Sequence, residues 1–318
     1  MRRLIIKSGA AAAIAAMVGR PAMGTEMSSG PLIWRNMDQR QLDDAYTQAS
    51  YTPNIGQVIA RWNSWSDEVR ARIGPPLRFE YGNRSCESMD VYTCKRPNAP
   101  IHVFIHGGAW KQSRAKTYGF AAELFIDAGV HYVVPDFSWV QDEEGNLFTL
   151  ADQLRRSLVW IHDNASEFGG DAGRIFLSGH SSGGHLAGVL LTTDWQKGYG
   201  LPRDLIKGGL CCSGMFDLEP VRLSHRGNYI RFTDEMEYLL SPIRHLNLLN
   251  APLIVVYGTN ETPEFQRQSR AFANAASALG KTVKLIAAKN YNHFEIMETL
   301  ANPYGICGRA ALELLQET

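Results

Sequence analysis

Short, continuously apolar segments alternate with longer helical segments along most of this chain, beginning near residue 77. Two of the apolar segments read Ile-His-Val-Phe-Ile at 101–105 and Leu-Ile-Val-Val-Tyr at 253–257. A strand that lacks polar alternation is covered on both faces, as in a parallel sheet with helices on either side. The pattern therefore predicts an α/β domain with a mostly parallel, doubly wound sheet of about eight strands.

The boundaries of these elements follow from the same alternation. The first two predicted strands suit antiparallel pairing, which would make the sheet mixed. Because open α/β sheets bind ligands where their strands end, reactive residues are expected in the loops that directly follow strands. The predicted strands cover residues 77–81, 89–93, 101–105, 130–135, 175–178, 206–212, 253–257 and 283–286. The predicted helices cover residues 118–128, 150–168, 182–193, 264–279 and 305–316.

The composition fits one folded domain without a nucleic-acid partner. Hydrophobic residues make up 45% and charged residues 20% of the 318 positions, which is enough for one sizeable core. Basic and acidic residues number 32 each, so the formal net charge is zero and no basic footprint for nucleic acid is present. We predict a single domain over residues 25–318. No cofactor or metal is expected, because no pair of the nine histidines has convincing metal-ligand spacing.

Residues 1–24 are predicted to be an export signal of the twin-arginine type. Arg2, Arg3 and Lys7 form a positive head, an alanine-rich apolar stretch follows, and residues 22–24 offer a small-residue cleavage site. The apolar run of about ten residues is too short to cross a hydrocarbon core of about 30 Å, so no membrane span is predicted. Export would place the protein in the periplasm or outside the cell; the alternative is a frayed N-terminal helix.

The five cysteines predict no dense disulfide framework. Cys211 and Cys212 lie in an apolar strand and are expected to be buried thiols. Cys86 and Cys94 flank another predicted strand, and an oxidising compartment would allow them to pair. Their separation along an extended strand makes a direct bond awkward unless a bulge shortens it.

The strongest functional signal is a serine between a strand and a helix. The strand at 175–178 runs into the pattern Gly179-x-Ser181-x-Gly183, and a helical segment follows at once. In such a turn the serine is strained and its hydroxyl stands above the sheet, near the positive end of the following helix. A glycine–serine turn without chemistry has the same letters, but the strand–turn–helix context favours a nucleophile.

A second loop, residues 106–110 (His-Gly-Gly-Ala-Trp), directly follows an apolar strand. Glycines let backbone N–H groups approach the negative oxygen of a tetrahedral intermediate, and losing one such donor costs about 3 kcal/mol of barrier. We predict an oxyanion hole formed by the N–H groups of Gly107, Gly108 and Ser182, with Ala109 as the alternative to Gly107.

The base and its carboxylate are predicted from loops after later strands. His293 follows the last strand and precedes a helix, where an imidazole could remove the proton of Ser181. For the acid, Glu261 follows the strand at 253–257 and is preferred. Asp217, after the preceding strand, is the reserve, and Glu264 suits the first turn of the next helix instead.

Three segments together resemble a known group of enzymes. They are residues 104–110 (Phe-Ile-His-Gly-Gly-Ala-Trp), 179–187 (Gly-His-Ser-Ser-Gly-Gly-His-Leu-Ala) and 261–269, which reads Glu-Thr-Pro-Glu-Phe-Gln-Arg-Gln-Ser. The chain resembles the arylformamidase (kynurenine formamidase-like) branch of the α/β-hydrolases, which shades into carboxylesterases. The resemblance extends from about Asp43 to the C-terminus.

The resemblance implies an α/β-hydrolase fold with a small cap. It also implies that Ser181, Glu261 and His293 occupy the triad positions of the family, which often has aspartate where this chain has Glu261. An export signal departs from the cytosolic breakdown of kynurenine. The resemblance therefore supports the fold and mechanism more than it supports N-formylkynurenine as the substrate.

A substrate pocket is predicted beneath an irregular cap segment, residues 214–250, rich in Met, Phe, Tyr and Arg. The N-terminal segment is expected to assist the cap over the serine through Trp34, Trp62 and Trp65. Trp110, Trp139, Phe216 and Tyr304 are predicted as aromatic walls at strand ends, although aromatic residues in such places are often plain core. The walls favour a compact, flat acyl group over a long lipid chain. The arginines of the cap are candidates to bind a substrate carboxylate, against the commoner fate of arginine at a solvated surface.

The sequence thus predicts a serine hydrolase of a small-molecule carboxylic ester or (aryl) amide. One alternative is an arylformamidase that acts on N-formylkynurenine-like formamides. An alternative of another class is a non-catalytic α/β-hydrolase that serves as a binding module; such proteins usually lose one of the three catalytic residues, and all three are present here. No oligomeric state is predicted.

Overall fold

A computed structural model describes residues 30–316 of the chain. The predicted export signal, residues 1–24, lies outside the described residues. Within the described part, no helix combines the length and the apolar character that a bilayer crossing requires.

The strands form one eight-stranded sheet. They are β1 (Leu77–Glu80), β2 (Ser88–Tyr92), β3 (Ala99–Ile105), β4 (His131–Pro135), β5 (Gly170–His180), β6 (Ile206–Cys212), β7 (Leu253–Gly258) and β8 (Val283–Ala288). Their order across the sheet is β1-β2-β4-β3-β5-β6-β7-β8. Strand β2 pairs antiparallel with β1 and β4, and all other neighbours are parallel. The mostly parallel sheet with an antiparallel start is confirmed.

Helices cover both faces of the sheet and fill most connections. The α-helices are α1 (Gln39–Ala45), α2 (Ile55–Ile73), α3 (Ala122–Asp127), α4 (Leu147–Asn164), α5 (Ser182–Leu191), α6 (Trp195–Tyr199), α7 (Glu219–Leu223), α8 (Asp234–Leu239), α9 (Pro263–Ala278), α10 (Glu295–Glu298) and α11 (Ile306–Gln316). The 3₁₀ turns are Gln48–Tyr51, Ala115–Ala121, Val140–Glu143, Ala165–Phe168, His225–Asn228, Pro242–Leu248 and Thr299–Ala301.

All five predicted helices are present, but the first is shorter as an α-helix than predicted. The segment 118–128 divides into a 3₁₀ turn and α3, because the chain tightens to i→i+3 bonds before the α-helix begins. The 19-residue helix α2 was not predicted at all. Its buried positions Val58, Trp62, Ser66 and Val69 recur every three or four residues, which is the helical signal that the sequence contained.

The core lies on both faces of the central strands. All seven residues of β3 are buried: Val103 packs into the cluster on one face and Phe104 into the cluster on the other. The neighbouring strand β5 divides Leu177 and Phe176 in the same way. These strands lack polar alternation because both faces of the sheet are covered, as predicted.

The turn between β5 and α5 is packed too tightly for side chains. A Cβ atom on Gly179 would lie 2.2 Å from the carbonyl oxygen of Gly183, and one on Gly183 would lie 2.1 Å from the carbonyl oxygen of Ile105. Both distances are far below any contact that a real Cβ makes. The two glycines therefore fix the residue between them, Ser181, at the carboxyl end of the sheet.

The thiols are free throughout the described residues. Cys211 and Cys212 are buried in β6, as predicted. Cys86 and Cys94 do not form the disulfide that was held open, since they lie on either side of β2 and contact other groups.

Candidate active site

Ser181 lies in a strained backbone conformation at the tip of the turn. Its φ of 59° and ψ of −124° fall outside the regions that L-residues ordinarily adopt. Its N–H donates to the carbonyl of Cys212 at 2.9 Å, and its carbonyl accepts from His185 N–H at 3.0 Å. These bonds to β6 and α5 over-determine the conformation, which is how such strain persists at functional sites.

The imidazole of His293 lies between Ser181 and Glu261. Its Nε2 atom is 2.8 Å from Ser181 Oγ, and its Nδ1 atom is 3.2 Å from Glu261 Oε2. With Nδ1–H donating to the carboxylate, Nε2 is left as the acceptor for the serine hydroxyl proton. All three side chains are buried, and Ser181 and His293 line a cavity.

The structure distinguishes the three candidate acids. Glu261 contacts His293 through Oε2, while its Oε1 accepts from Gly258 N–H at 2.6 Å and from the Ser213 hydroxyl at 2.5 Å. Glu264 instead pairs with Arg267 in the first turn of α9. Asp217 faces Arg244 at 3.4 Å. The preferred carboxylate is therefore the one that the fold brings to the imidazole.

The loop after β3 presents backbone N–H groups toward the serine. Gly108 and Ala109 line the same cavity as Ser181, and among residues 30–316 no acceptor takes either N–H. Gly107 instead packs against the turn, where a Cβ would lie 2.9 Å from the carbonyl oxygen of His180. The geometry therefore favours the alternative set of donors, Gly108, Ala109 and Ser182, over the set in which Gly107 takes the place of Ala109.

Trp110 anchors this loop and does not form a wall. The residue is 1% exposed, with a positive φ of 61°. Its N–H donates to Ser182 Oγ at 3.1 Å, and its indole Nε1–H donates to His185 Nδ1 at 3.2 Å. The prediction that Trp110 contacts substrate is therefore corrected, because the indole points away from the cavity and into α5.

The other three predicted wall residues also lie elsewhere. Phe216 is fully buried and stacks on Phe272 at 4.1 Å between ring centroids, and Tyr304 is 89% exposed. The indole N–H of Trp139 donates to Ser113 O, and the guanidinium of Arg114 covers its ring. None of the three lines the cavity. A place near a strand end does not determine where a side chain points, and that is why these predictions were wrong.

The observed cavity measures about 430 Å³ and has walls of a different origin. Its aromatic side chains come mainly from the N-terminal helices, the Ala115–Ala121 turn and the cap. Basic side chains come from the cap and from the residue that follows the 106–110 loop. The aromatic members are Tyr46, Trp62, Tyr118, Tyr229 and Phe294, and the basic ones are Lys111, His225 and Arg226.

Most of these residues carried only weak signals in the sequence. Trp62 and the 225–229 part of the cap could be placed over the serine, but Tyr46 and Tyr118 carried no signal of a pocket. Both are nearly fully buried from solvent, so the sequence does not distinguish them from core residues.

His180, the residue before the serine, supports the imidazole. Its Nε2 lies 2.7 Å from the carbonyl oxygen of His293, and the two rings are 4.7 Å apart. Burial, together with the neighbouring His293, holds the pKa of His180 well below its ordinary value. The neutral ring therefore donates Nε2–H to that carbonyl and holds the loop that carries His293.

Over residues 30–316, no cluster of three or more His, Cys, Asp or Glu side chains could hold a metal ion. The groups gathered around Ser181 are instead those of nucleophilic chemistry. A strained nucleophile, an oriented imidazole and free N–H groups can together perform acyl transfer.

The sheet order and the position of the serine between β5 and α5, at the carboxyl ends of the parallel strands, define the class. The chain is an α/β-hydrolase. Comparisons with known proteins support the formamidase and esterase character of this hydrolase. The BD-FAE family model matches residues 89–200, which contain the 106–110 loop and the turn at Ser181.

Two curated relatives match along nearly their whole length. Kynurenine formamidase of Danio rerio is 26% identical over 295 residues, covering 89% of this chain and 98% of the relative. Kynurenine formamidase of Salmo salar is 28% identical over 283 residues, covering 85% and 94%. Esterase LipC of Mycobacterium tuberculosis is 25% identical over 236 residues, covering 64% and 56%.

Solved structures show the same fold. The esterase of Pyrobaculum calidifontis superposes with a TM-score of 0.66 at 17% identity, covering 87% of this chain and 97% of that one. A Silicibacter protein proposed to be a thioesterase superposes with a TM-score of 0.75 at 22% identity, covering 86% and 99%. The chain thus has the α/β-hydrolase fold, and its curated relatives support a hydrolase of this type.

Proposed function

We propose that this protein is a serine hydrolase that cleaves a carboxylic ester or a small aryl amide through an acyl-enzyme at Ser181. The observation that carries the proposal is the continuous chain of contacts from Glu261 Oε2 through His293 to Ser181 Oγ, at 3.2 and 2.8 Å. The Ser181 end of this series of contacts lies at a cavity of about 430 Å³ with aromatic walls. A cavity of that size suits a compact substrate.

The residues divide the reaction between them. His293 Nε2 takes the hydroxyl proton as Ser181 Oγ attacks the carbonyl carbon, and Glu261 stabilises the imidazolium. The N–H groups of Gly108, Ala109 and Ser182 donate to the oxygen that becomes negative. The imidazolium then protonates the departing alcohol or amine. Water repeats the sequence on the acyl-enzyme, returning the proton to Ser181 and releasing the acid.

Labelling with a fluorophosphonate probe tests this proposal. We expect one adduct on Ser181 in the folded protein and none in Ser181→Ala. Ser277→Ala, which removes an exposed hydroxyl on α9, serves as the matched control and should label fully. Absence of any adduct on folded wild-type protein would support the binding-module alternative.

A second candidate is an arylformamidase that acts on N-formylkynurenine-like formamides. It is supported by the two fish kynurenine formamidases, which match this chain along almost their entire length. Rates on 4-nitrophenyl acetate and N-formylkynurenine, measured side by side, separate the candidates. A large preference for the formamide would make formamide cleavage the principal activity.

Export of the enzyme remains part of the proposal. It rests on the basic head and apolar stretch in residues 1–24. Cell fractionation of the full chain and of an Arg2→Lys, Arg3→Lys double variant tests it. We expect the wild type in the exported fraction and the variant retained, and retention of both would contradict export.

A further inference from the structure

One wall of the active-site cavity carries two cations, Lys111 and Arg226, that no carboxylate neutralises. Both line the cavity that contains Ser181. Across residues 30–316, no carboxylate oxygen lies within 4.0 Å of a nitrogen of the Arg226 guanidinium or the Lys111 ammonium. Asp43 contacts the neighbouring His225 instead: it accepts from the backbone N–H of His225 at 2.6 Å and lies 4.0 Å from its Nδ1.

Arg226 is the unusual member, because only 7% of it is exposed. Its guanidinium donates to two neutral oxygens, the Tyr229 hydroxyl at 3.0 Å and the carbonyl of Tyr46 at 3.0 Å. Its Nε atom is buried and finds no acceptor in the described chain. A guanidinium has five N–H groups, and the described chain supplies acceptors for two of them.

A buried charge without a counter-charge is costly, and folded proteins rarely leave one uncompensated. Aromatic rings supply part of the compensation here: the guanidinium carbon lies 5.7 Å from the Trp110 ring centroid and 6.0 Å from that of Tyr46. Those contacts are weak beside an ion pair. The stabilising anion is therefore expected to arrive with the ligand.

The position of the guanidinium relates this charge to the reaction. The Trp110 ring beneath it belongs to the residue whose N–H bonds Ser182 at the oxyanion loop. Lys111, the next residue, lies over the ring of Tyr229 at 4.4 Å, and Tyr229 accepts from Arg226. Arg226 and Lys111 are therefore connected through Trp110 and Tyr229 to the residue that follows the nucleophile, Ser182.

We propose that Arg226, assisted by Lys111, forms a carboxylate-binding subsite, and that the substrates are esters or amides with a free carboxylate outside the scissile bond. The subsite rests on the proposed function, since it selects substrates for Ser181. The planar guanidinium matches the two oxygens of a carboxylate, whereas the mobile ammonium supplies a point charge at the entrance.

Matched substrate pairs test the subsite. One pair is 4-acetoxybenzoate and methyl 4-acetoxybenzoate, with the charge on the leaving group; the other is monomethyl adipate and methyl hexanoate, with the charge on the acyl chain. In the wild type we expect KM to be about ten- to a hundredfold lower for the charged member of at least one pair, the worth of a charge-assisted hydrogen bond. Similar KM values within both pairs would overturn the proposal.

Variants assign the preference to residues. Arg226→Gln should abolish the difference in KM between the charged and the neutral member of a pair. Lys111→Gln, at an exposed position, should reduce the preference in part and remains informative if Arg226→Gln fails to fold. Arg231→Gln, whose side chain is 78% exposed, is the matched control and should change nothing. A preference that survives in Arg226→Gln would contradict the role of the guanidinium.

A binding measurement separates this inference from catalysis. Calorimetric titration of Ser181→Ala protein with both members of each substrate pair requires no turnover. We expect tighter binding of the anionic member in at least one pair, lost when Arg226→Gln is added. If the protein binds the anion but the wild type is not labelled by the fluorophosphonate, the subsite is supported and the hydrolase proposal is contradicted. If Ser181 is labelled but the anion is not preferred, the hydrolase proposal is supported and the subsite is contradicted.

Discussion

The indole of Trp110 donates a hydrogen bond to Nδ1 of His185, one turn into the helix that follows the serine. His185 in turn donates through Nε2 to the carbonyl of Leu240 in the cap, at 2.8 Å. Trp110 thereby ties the 106–110 loop to the helix, and His185 ties the helix to the cap. The Trp110 side chain does not line the cavity; it holds the loop whose N–H groups do.

Trp110→Phe should reduce turnover by disturbing this tie. The change keeps the ring but leaves His185 Nδ1 buried without its donor, at a cost of about 1–3 kcal/mol in the free energy of unfolding. We expect kcat to fall by about ten- to a hundredfold, less than complete loss of an oxyanion donor. Trp195→Phe loses a similar indole bond, to Leu190 O at the far end of α5, and should keep its kcat. Equal kcat losses in both variants would argue against the positioning role.

Glu261→Gln should nearly abolish activity without unfolding the protein. The amide still fits the pocket made by Gly258 and Ser213, but it no longer stabilises an imidazolium or fixes its tautomer. A loss of about 10³- to 10⁴-fold in kcat is expected. Asp217→Asn, at the reserve acid, should leave kcat essentially as it is. Steady-state kinetics on one aryl acetate check both, and an active Glu261→Gln enzyme would contradict the assigned carboxylate.

Buried histidines should make the protein sensitive to acid. Burial lowers the pKa of His102 to about 3 and that of His185 to about 4, from an ordinary 6.5. The unfolded chain therefore binds more protons than the folded one below pH 6.5. Stability is fully present above that pH and falls as the pH drops toward 4, by about 1.4 kcal/mol per pH unit and site.

Urea unfolding at pH 7 and pH 5 measures this effect. In His102→Gln, the loss of unfolding free energy between these two pH values should be about 2 kcal/mol smaller than in the wild type. His102→Gln also removes the hydrogen bond to Ser178, but that loss lowers the unfolding free energy equally at both pH values. It therefore cancels when the two pH values are compared within one protein. Identical losses would show that His102 is not held neutral by burial.

Phe216 and Tyr304 should affect stability and not substrate affinity. Phe216→Ala removes a fully buried ring stacked on Phe272 and should cost about 3–5 kcal/mol in unfolding free energy. Tyr304→Ala, at an exposed position, should stay within about 0.5 kcal/mol of the wild type. Both should retain the wild-type KM. A raised KM in either variant would place that ring in the substrate path after all.

The sequence determined the succession of strands and helices along the chain and the identity of the reactive groups. Short continuous apolar runs that alternate with helical segments indicate strands covered on both faces, and the glycines around Ser181 leave room for a tight strand-to-helix turn. Because each reactive residue follows a strand directly, its approximate place was set by local sequence alone. The position of His293 could be read in the same way.

Tertiary structure decided what surrounds those groups. Whether Glu261, Asp217 or Glu264 meets the imidazole depends on loop paths that span long stretches of sequence, and only the folded chain brings Glu261 to 3.2 Å from His293. The direction of a side chain at a strand end depends on packing partners, so Trp110 turned inward. Arg226 looks like any cap arginine in the sequence; its burial without a counter-charge exists only because distant segments fold over it.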